Sequence, residues 1–341
     1  LKTPTILLLI LFVSAWNARA ASAERAELLD GIKEIGVTGL PGPLCVFGES
    51  AFVILAGQTD KLPSPVVAAS SLGSGRLVAF GHSGYLAAEV QDVADTARFI
   101  ANAARWSAKK SPRTGAKIIG LRGCKSLEPT LTKNALKVVI IDAGPLVNHL
   151  PEIDTLLLPA GEIHDADLPA LEDFIRKGGG IVSGVPGWGF LQTHPGATLA
   201  KDLPTNRLFA KAGIVWADGT VDAVNKRYIA QPDVPALLNA SAALTALTEE
   251  AAGRRKLMPD ESKLAAAQLT RAAQSVPSED TLLLPALEKA AAASKGQAIV
   301  SDKTDLLAGN GLAKVALTID LTRQRALPAD QVRANPLAEK F

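Results

Sequence analysis

The 341-residue chain has only two cysteines, Cys45 and Cys124. Each stands beside an expected strand, which leaves one disulfide and two buried free thiols equally open. No pair of residues has zinc-ligand spacing, and the four histidines (His82, His149, His164, His194) are scattered, so no metal and no cofactor is expected. Charge of one sign is also missing. The 36 basic and 34 acidic residues leave a formal net charge of +2, which offers no electrostatic case for nucleic acid. Aromatic residues are absent over a whole third: no Phe, Trp or Tyr lies between Tyr228 and Phe341, where alanine and leucine dominate. There is no internal repeat, and no apolar run is long enough to span a bilayer.

The apolar run from Ile6 to Val13 follows Lys2 and precedes Ala18-Arg19-Ala20, a small-x-small pattern before Ala21. That arrangement predicts a signal peptide over 1–20 and an exported protein with no stable membrane span after cleavage, an uncleaved anchor being the alternative. The chain begins with leucine and stops at Phe341 without a terminal element, and it reads as part of something longer.

The informative stretch runs from Asp154 to Phe190. Leu156, Leu157 and Leu158 form a short apolar run ended by Pro159 and Gly161, the pattern of a buried parallel strand. Asp167 is placed to cap a helix with Leu168, Leu171, Phe174 and Ile175 on one face, and three glycines end it. Ile181 and Val182 open a second buried strand, and Ser183-Gly184-Val185-Pro186-Gly187 turns the chain at its carboxyl end. In an open parallel sheet, ligands bind outside such strand ends. The loops 81–85, 161–165 and 184–194 are therefore expected to form a crevice.

Around this centre the same alternation continues. A helix is expected over Glu24 to Ile35, and strands over Leu44 to Phe47, Phe52 to Leu55, Val66 to Ala69 and Leu77 to Phe80, the last two joined as a hairpin at Gly73-Ser74-Gly75. A long helix from Leu86 to Ala108, a strand from Lys117, a helix from Leu127 to Leu136 and a strand from Val138 follow. The segment 188–196 reads as an aromatic, glycine-rich loop, Asn206 to Lys211 as a short helix and Gly213 to Trp216 as one more strand. The expected fold is α/β, a doubly wound, mostly parallel sheet over 21–225. An alanine-rich helical region over 226–341 holds helices at Pro235 to Ala252, Glu261 to Ser275 and Asp280 to Ser294, then a strand at Val315 to Leu321.

Several residues could contact a ligand. His82 either bonds the helix after it or faces the crevice, and Tyr85 either packs or touches ligand. Glu162, His164 and Asp165 could meet a metal or sugar hydroxyls, or simply cap a solvated loop. Trp188 could stack on a sugar ring or fill the core, with His194 nearby. Ser183 sits at the strand end and outside any Gly-x-Ser-x-Gly arrangement, so it is a poor nucleophile candidate.

Gly-Pro-Leu-Cys-Val-Phe-Gly at 42–48, Pro-Val-Val-Ala-Ala at 65–69, Gly-Ser-Gly-Arg-Leu-Val-Ala-Phe-Gly-His-Ser-Gly-Tyr at 73–85 and the 178–190 segment resemble the N-terminal domain of the TRP-channel-associated factors and their bacterial relatives, a class I glutamine amidotransferase-like domain that often precedes an enhancin-like zinc peptidase module. The resemblance implies a flavodoxin-like fold. Amidotransferases of this class carry a cysteine at the glycine-flanked elbow, where this chain has Val185, a side chain that cannot attack a carbonyl. The peptidase signature His-Glu-x-x-His is absent too. The resemblance therefore implies a noncatalytic binding or accessory module for a glycan or protein ligand, with any peptidase module lying downstream. The rival readings are a hydrolase using His82 with Glu162 as an acid/base pair, and a structural scaffold.

Overall fold

The computed structural model of the chain describes residues 21–294. The expected signal peptide and the strand at 315–321 lie outside the described residues. The strands are β1 Glu34–Gly36, β2 Leu44–Val46, β3 Phe52–Thr59, β4 Leu62–Leu72, β5 Gly75–Phe80, β6 Ile118–Leu121, β7 Lys137–Ile140, β8 Thr155–Pro159, β9 Gly180–Gly184, β10 Ile214–Trp216 and β11 Arg227–Ile229. The α-helices are α1 Thr96–Ala108, α2 Glu128–Lys133, α3 Leu168–Arg176, α4 Gly187–Thr193, α5 Leu199–Asp202, α6 Pro204–Phe209, α7 Ala240–Ala251, α8 Pro259–Ser275 and α9 Leu284–Ser294.

Seven strands form one sheet in the order β3-β4-β5-β9-β8-β6-β7. From β5 to β7 every pairing is parallel, while β3, β4 and β5 run antiparallel as successive hairpins. The α/β fold with a mostly parallel central sheet is thus present. The turn at Gly73-Ser74 joins Leu72 to Gly75, and Gly73 supplies the positive φ of 62° that a two-residue hairpin turn needs. The β3–β4 turn does the same with Asp60 and Lys61, at φ 50° and 66°.

Side chains alternate across the sheet as a strand requires. Val78, Phe80, Val182 and Leu157 face one cluster with Phe99, Ile100 and Trp106 of α1 and Leu131 of α2. Leu77, Ala79, Ile181, Leu156 and Leu158 face the other, with Leu171 and Ile175 of α3. Residues 21–28 are helical and lay Leu28 into the first cluster. Helices α7 to α9 contribute Leu247, Leu269 and Leu287 to the second.

Some expected elements take a different form. The helix expected over Leu86 to Ala108 is two 3-10 turns, Ser83–Leu86 and Ala88–Val90, followed by α1 from Thr96. The break arises because Ala94 bridges Ile35, Asp95 accepts the Lys33 amide at 2.8 Å, and Thr96 accepts the Gly36 amide at 2.9 Å. Pairing with β1 replaces the missing helical turns. For the same reason the helix expected over Glu24 to Ile35 ends early, and residues 34–36 are β1. The runs at 44–46 and 214–216 leave the main sheet and pair with each other antiparallel. The expected aromatic loop after Pro186 is helical, as α4.

Candidate functional site

Strands β8 and β9 end side by side, with Pro159 opposite Gly184. After β8 the chain makes a 3-10 turn over Ala160–Glu162, and after β9 it passes Val185 and Pro186 into α4. A cleft of about 880 Å³ opens between these two exits and is closed on its third side by Lys201, Asp202, Leu203 and Pro204. Its floor is apolar, formed by Ile163, Val185 and Leu203, and its rim carries His164, Thr193 and His194. Val185 is half-buried and leans on the core cluster beneath while its other side meets the cleft. An isopropyl group therefore occupies the elbow.

The elbow is also roofed. Residue 42 lies against it so closely that a Cβ added at Gly42 would stand 3.1 Å from the Gly187 amide nitrogen. The Gly42 amide donates to the Gly81 carbonyl at 2.8 Å, and the Ala217 amide donates to that of Pro43 at 3.0 Å. Backbone of the 41–43 segment thus fills the space above β5 and β9.

The 81–85 loop lies under that roof and does not line the cleft. The Gly84 amide donates to His82 Nδ1 at 2.9 Å, and Gly39 packs beside Nε2. Tyr85 is enclosed, its hydroxyl donating to the Gly36 carbonyl at 3.1 Å, and burial raises its pKa well above the usual value. Trp188 is half-buried on α4 outside the cleft lining, its Nε1 donating to the Leu40 carbonyl at 2.9 Å. Glu162 does not pair with His82. Its Oε2 accepts from Arg122 Nε at 3.0 Å, closing the gap where the parallel order changes direction between β6 and β8.

His164 and His194 do reach the cleft. The His164 amide donates to Asp167 at 3.2 Å, and Asp165 beside it accepts from Arg207 at 2.8 Å. His194 stacks on Phe190 with centroids 4.2 Å apart and planes 17° from parallel. Its Nδ1 lies 3.0 Å from the Phe190 carbonyl, and in the tautomer that donates to this carbonyl Nε2 is the acceptor. Thr193 Oγ1 lies 3.0 Å from that nitrogen and is also within reach of the Gly189 and Phe190 carbonyls, at 3.0 and 3.1 Å. From the sequence, Phe190 reads only as part of the aromatic loop and Asp202, Asn206 and Arg207 only as polar groups near Trp188, so Phe190 as a contact and the wall from Lys201 to Pro204 are not expected. A signal for the latter was present: Thr198 caps α5, and its amide donates to Asp202 at 2.7 Å.

The cysteines are free, buried and on opposite faces of the sheet, Cys45 in one cluster and Cys124 in the other. Burial pushes both thiols up to about 12. At pH 8 their thiolate fraction is then about a thousandfold below that of an unfolded cysteine. Alkylation of the native chain is expected to be slower by that factor, and mass spectrometry against a urea-unfolded control checks it. Among the described residues no group of three His, Cys, Asp or Glu side chains could hold a metal ion.

Burial also lowers the His82 pKa. The unfolded chain takes up a proton near pH 6.5, whereas native His82 resists it, so the stabilisation is complete above that pH and is lost as pH falls toward the native pKa. Urea unfolding at about pH 7.5 and about pH 5.5 should show this loss, and His82→Asn, which keeps an acceptor for the Gly84 amide, should reduce it.

The family model TCAF_N, described as the TRPM8 N-terminal domain, matches residues 9–231. The chain belongs to this family. TCAF_N relatives include TRPM8 channel-associated factor 2 of Bos taurus, 27% identical over 203 residues, covering 59% of this chain and 20% of the relative. The TRPM8 channel-associated factor homolog of Danio rerio is 24% identical over 217 residues, covering 61% and 21%. The chain thus spans about one fifth of the length of these relatives. Among solved structures, IMPa from Pseudomonas aeruginosa in complex with an O-glycopeptide superposes with a TM-score of 0.51 at 12% identity, covering 94% of this TCAF_N chain and 37% of the other. The IMPa metallopeptidase alone gives 0.50 at 11% identity, covering 94% and 36%. At that identity the likeness is one of fold.

Proposed function

We propose that this chain is an exported accessory domain that holds a glycan in the cleft between the ends of β8 and β9 and performs no chemistry on it. The observation that carries the reading is the cleft itself: an apolar floor that includes Val185 and an aromatic pair on the rim. Carbohydrate sites pair an aromatic face for the C–H side of a ring with a few polar rim groups for hydroxyls, and Phe190, His194 and Thr193 supply both. The order β7-β6-β8-β9 supports descent from a flavodoxin-like, amidotransferase-like ancestor, with β5 added from the hairpin as the next strand. IMPa, which shares the fold, has been solved with an O-glycopeptide. An enhancin-like peptidase module elsewhere in the full-length protein fits the same reading, with this domain presenting the glycosylated substrate.

Phe190→Ala should abolish binding of the chain to mucin-type or envelope glycans on an array and in calorimetry, while Trp188→Ala, on the other side of α4, should leave it within about threefold. Binding that survives Phe190→Ala would contradict the assignment to this cleft.

A further inference from the structure

The polar groups around the cleft are unequally committed. Among the described residues Asp202 is the only carboxylate in its lining, and its Oδ2 is held by the Thr198 amide at 2.7 Å and hydroxyl at 3.3 Å. The carboxylates just outside are engaged as well, Glu162 by Arg122 at 3.0 Å and Asp165 by Arg207 at 2.8 Å. Lys201 faces the same space, is exposed, and forms no salt bridge among the described residues. Among the described residues, a ligand in this cleft therefore meets one aromatic platform, one ammonium group outside any salt bridge, the imidazole of His194, and a single carboxylate, Asp202, whose Oδ2 is already held by Thr198.

We infer that the cleft selects acidic glycans, those whose sugars carry a carboxylate, over neutral ones. This rests on the proposed glycan-binding role and adds the class of sugar. The C–H face of the ring lies on the Phe190–His194 pair, and the carboxylate pairs with Lys201 in a charge-assisted bond. A neutral glycan keeps the platform and gains nothing from the ammonium group. An acidic peptide gains the charge but has no ring to stack, so a sugar is favoured over a polypeptide.

The test is calorimetry on the full chain with 3′-sialyllactose, a glucuronate-terminated oligosaccharide, lactose and tetraglutamate. Both acidic sugars should bind about tenfold more tightly than lactose at low salt, and the preference should shrink as salt is raised. Lys201→Gln should bring them down to the affinity of lactose, and Lys201→Arg should preserve the preference. Lactose binding as tightly as the acidic sugars would overturn the selectivity and leave the cleft as a glycan site. Tetraglutamate binding as tightly as sialyllactose would overturn it in favour of bare charge recognition. If no sugar binds, the glycan-binding role itself fails.

Discussion

Trp216→Ala is expected to destabilise the chain by about 4 kcal/mol, in the middle of the range for truncating a buried aromatic side chain. Trp216 is fully enclosed, meets Phe209 edge-to-face at 4.9 Å, and donates from Nε1 to the Phe80 carbonyl at 2.7 Å. It stands where β10 and the C-terminal helices close over the sheet, and the Asn206 amide group ties the same place together. Asn206 Oδ1 accepts the Trp216 amide at 2.8 Å, and its Nδ2 donates to carbonyls of Trp216 at 2.9 Å and Ser275 at 3.3 Å. The alanine variant loses the ring, opens a cavity, and leaves the Phe80 carbonyl without its partner. Trp216→Phe keeps most of the packing and drops only the donor, so its cost should be about 1–2 kcal/mol. Urea unfolding of the three proteins checks the order, and an alanine variant within about 1 kcal/mol of wild type would show that the helices are not seated through this residue.

The second large effect is at Arg76. This residue of β5 is 3% exposed, yet it is charged. Its guanidinium donates to Glu24 Oε1 at 2.6 Å and to the Trp106 carbonyl at 3.1 Å, and lies 4.4 Å from the centre of the Trp106 ring, while Nε has no partner. The group clamps residues 21–28 to the sheet. Arg76→Ala should cost about 3 kcal/mol, because the pair is broken on one side and the stacking is lost. Glu24→Ala should cost nearly as much, since it strands the more buried partner. The double variant Glu24→Leu with Arg76→Met should recover much of the loss, as apolar replacements of buried ion pairs often do. Hydrogen exchange at 21–28 should accelerate in the single variants. A double variant as unstable as Arg76→Ala would mean that the ion pair and the Trp106 contacts stabilise in their own right, and that the loss does not come from a stranded charge or lost volume.

The sheet was legible in the sequence wherever hydrophobic pattern and turn chemistry agreed. Leu156 to Leu158 and Ile181-Val182 are apolar on both faces and end at proline or glycine, and they are β8 and β9. The Gly73-Ser74 turn announced its hairpin. The neighbouring hairpin stayed hidden because Asp60 and Lys61 reach positive φ without a glycine to mark the place. Nor could periodicity show that the runs at 44–46 and 214–216 pair with each other outside the sheet, since three apolar residues look alike in either setting. The helix expected from Leu86 failed for a related reason: the pull of β1 on Asp95 and Thr96 is long-range.

The cleft was half legible. The rule that ligands bind outside the carboxyl ends of parallel strands led to the ends of β8 and β9 and so to His164, Val185 and His194, although the strand order reverses one place away, between β6 and β8. The third wall is a tertiary arrangement, formed by a short capped helix that local sequence marks only through Thr198 and Asp202. His82 and Tyr85 drew attention because their glycine-flanked loop also follows a strand, but the 41–43 segment crosses above that strand and covers it. The same covering turns Trp188 toward Leu40.

Gly161 offers the most direct test of the cleft. It lines the cavity, and a Cβ added there would find no heavy atom within 4 Å, so a side chain can start at this position without a clash and the ring of Gly161→Phe is expected to occupy the ligand space. Calorimetry of this variant against a glycan that the wild-type chain binds should show affinity reduced by at least about a hundredfold with an unchanged urea midpoint. Undiminished binding in a stably folded Gly161→Phe chain would contradict the central claim that the glycan sits between the ends of β8 and β9.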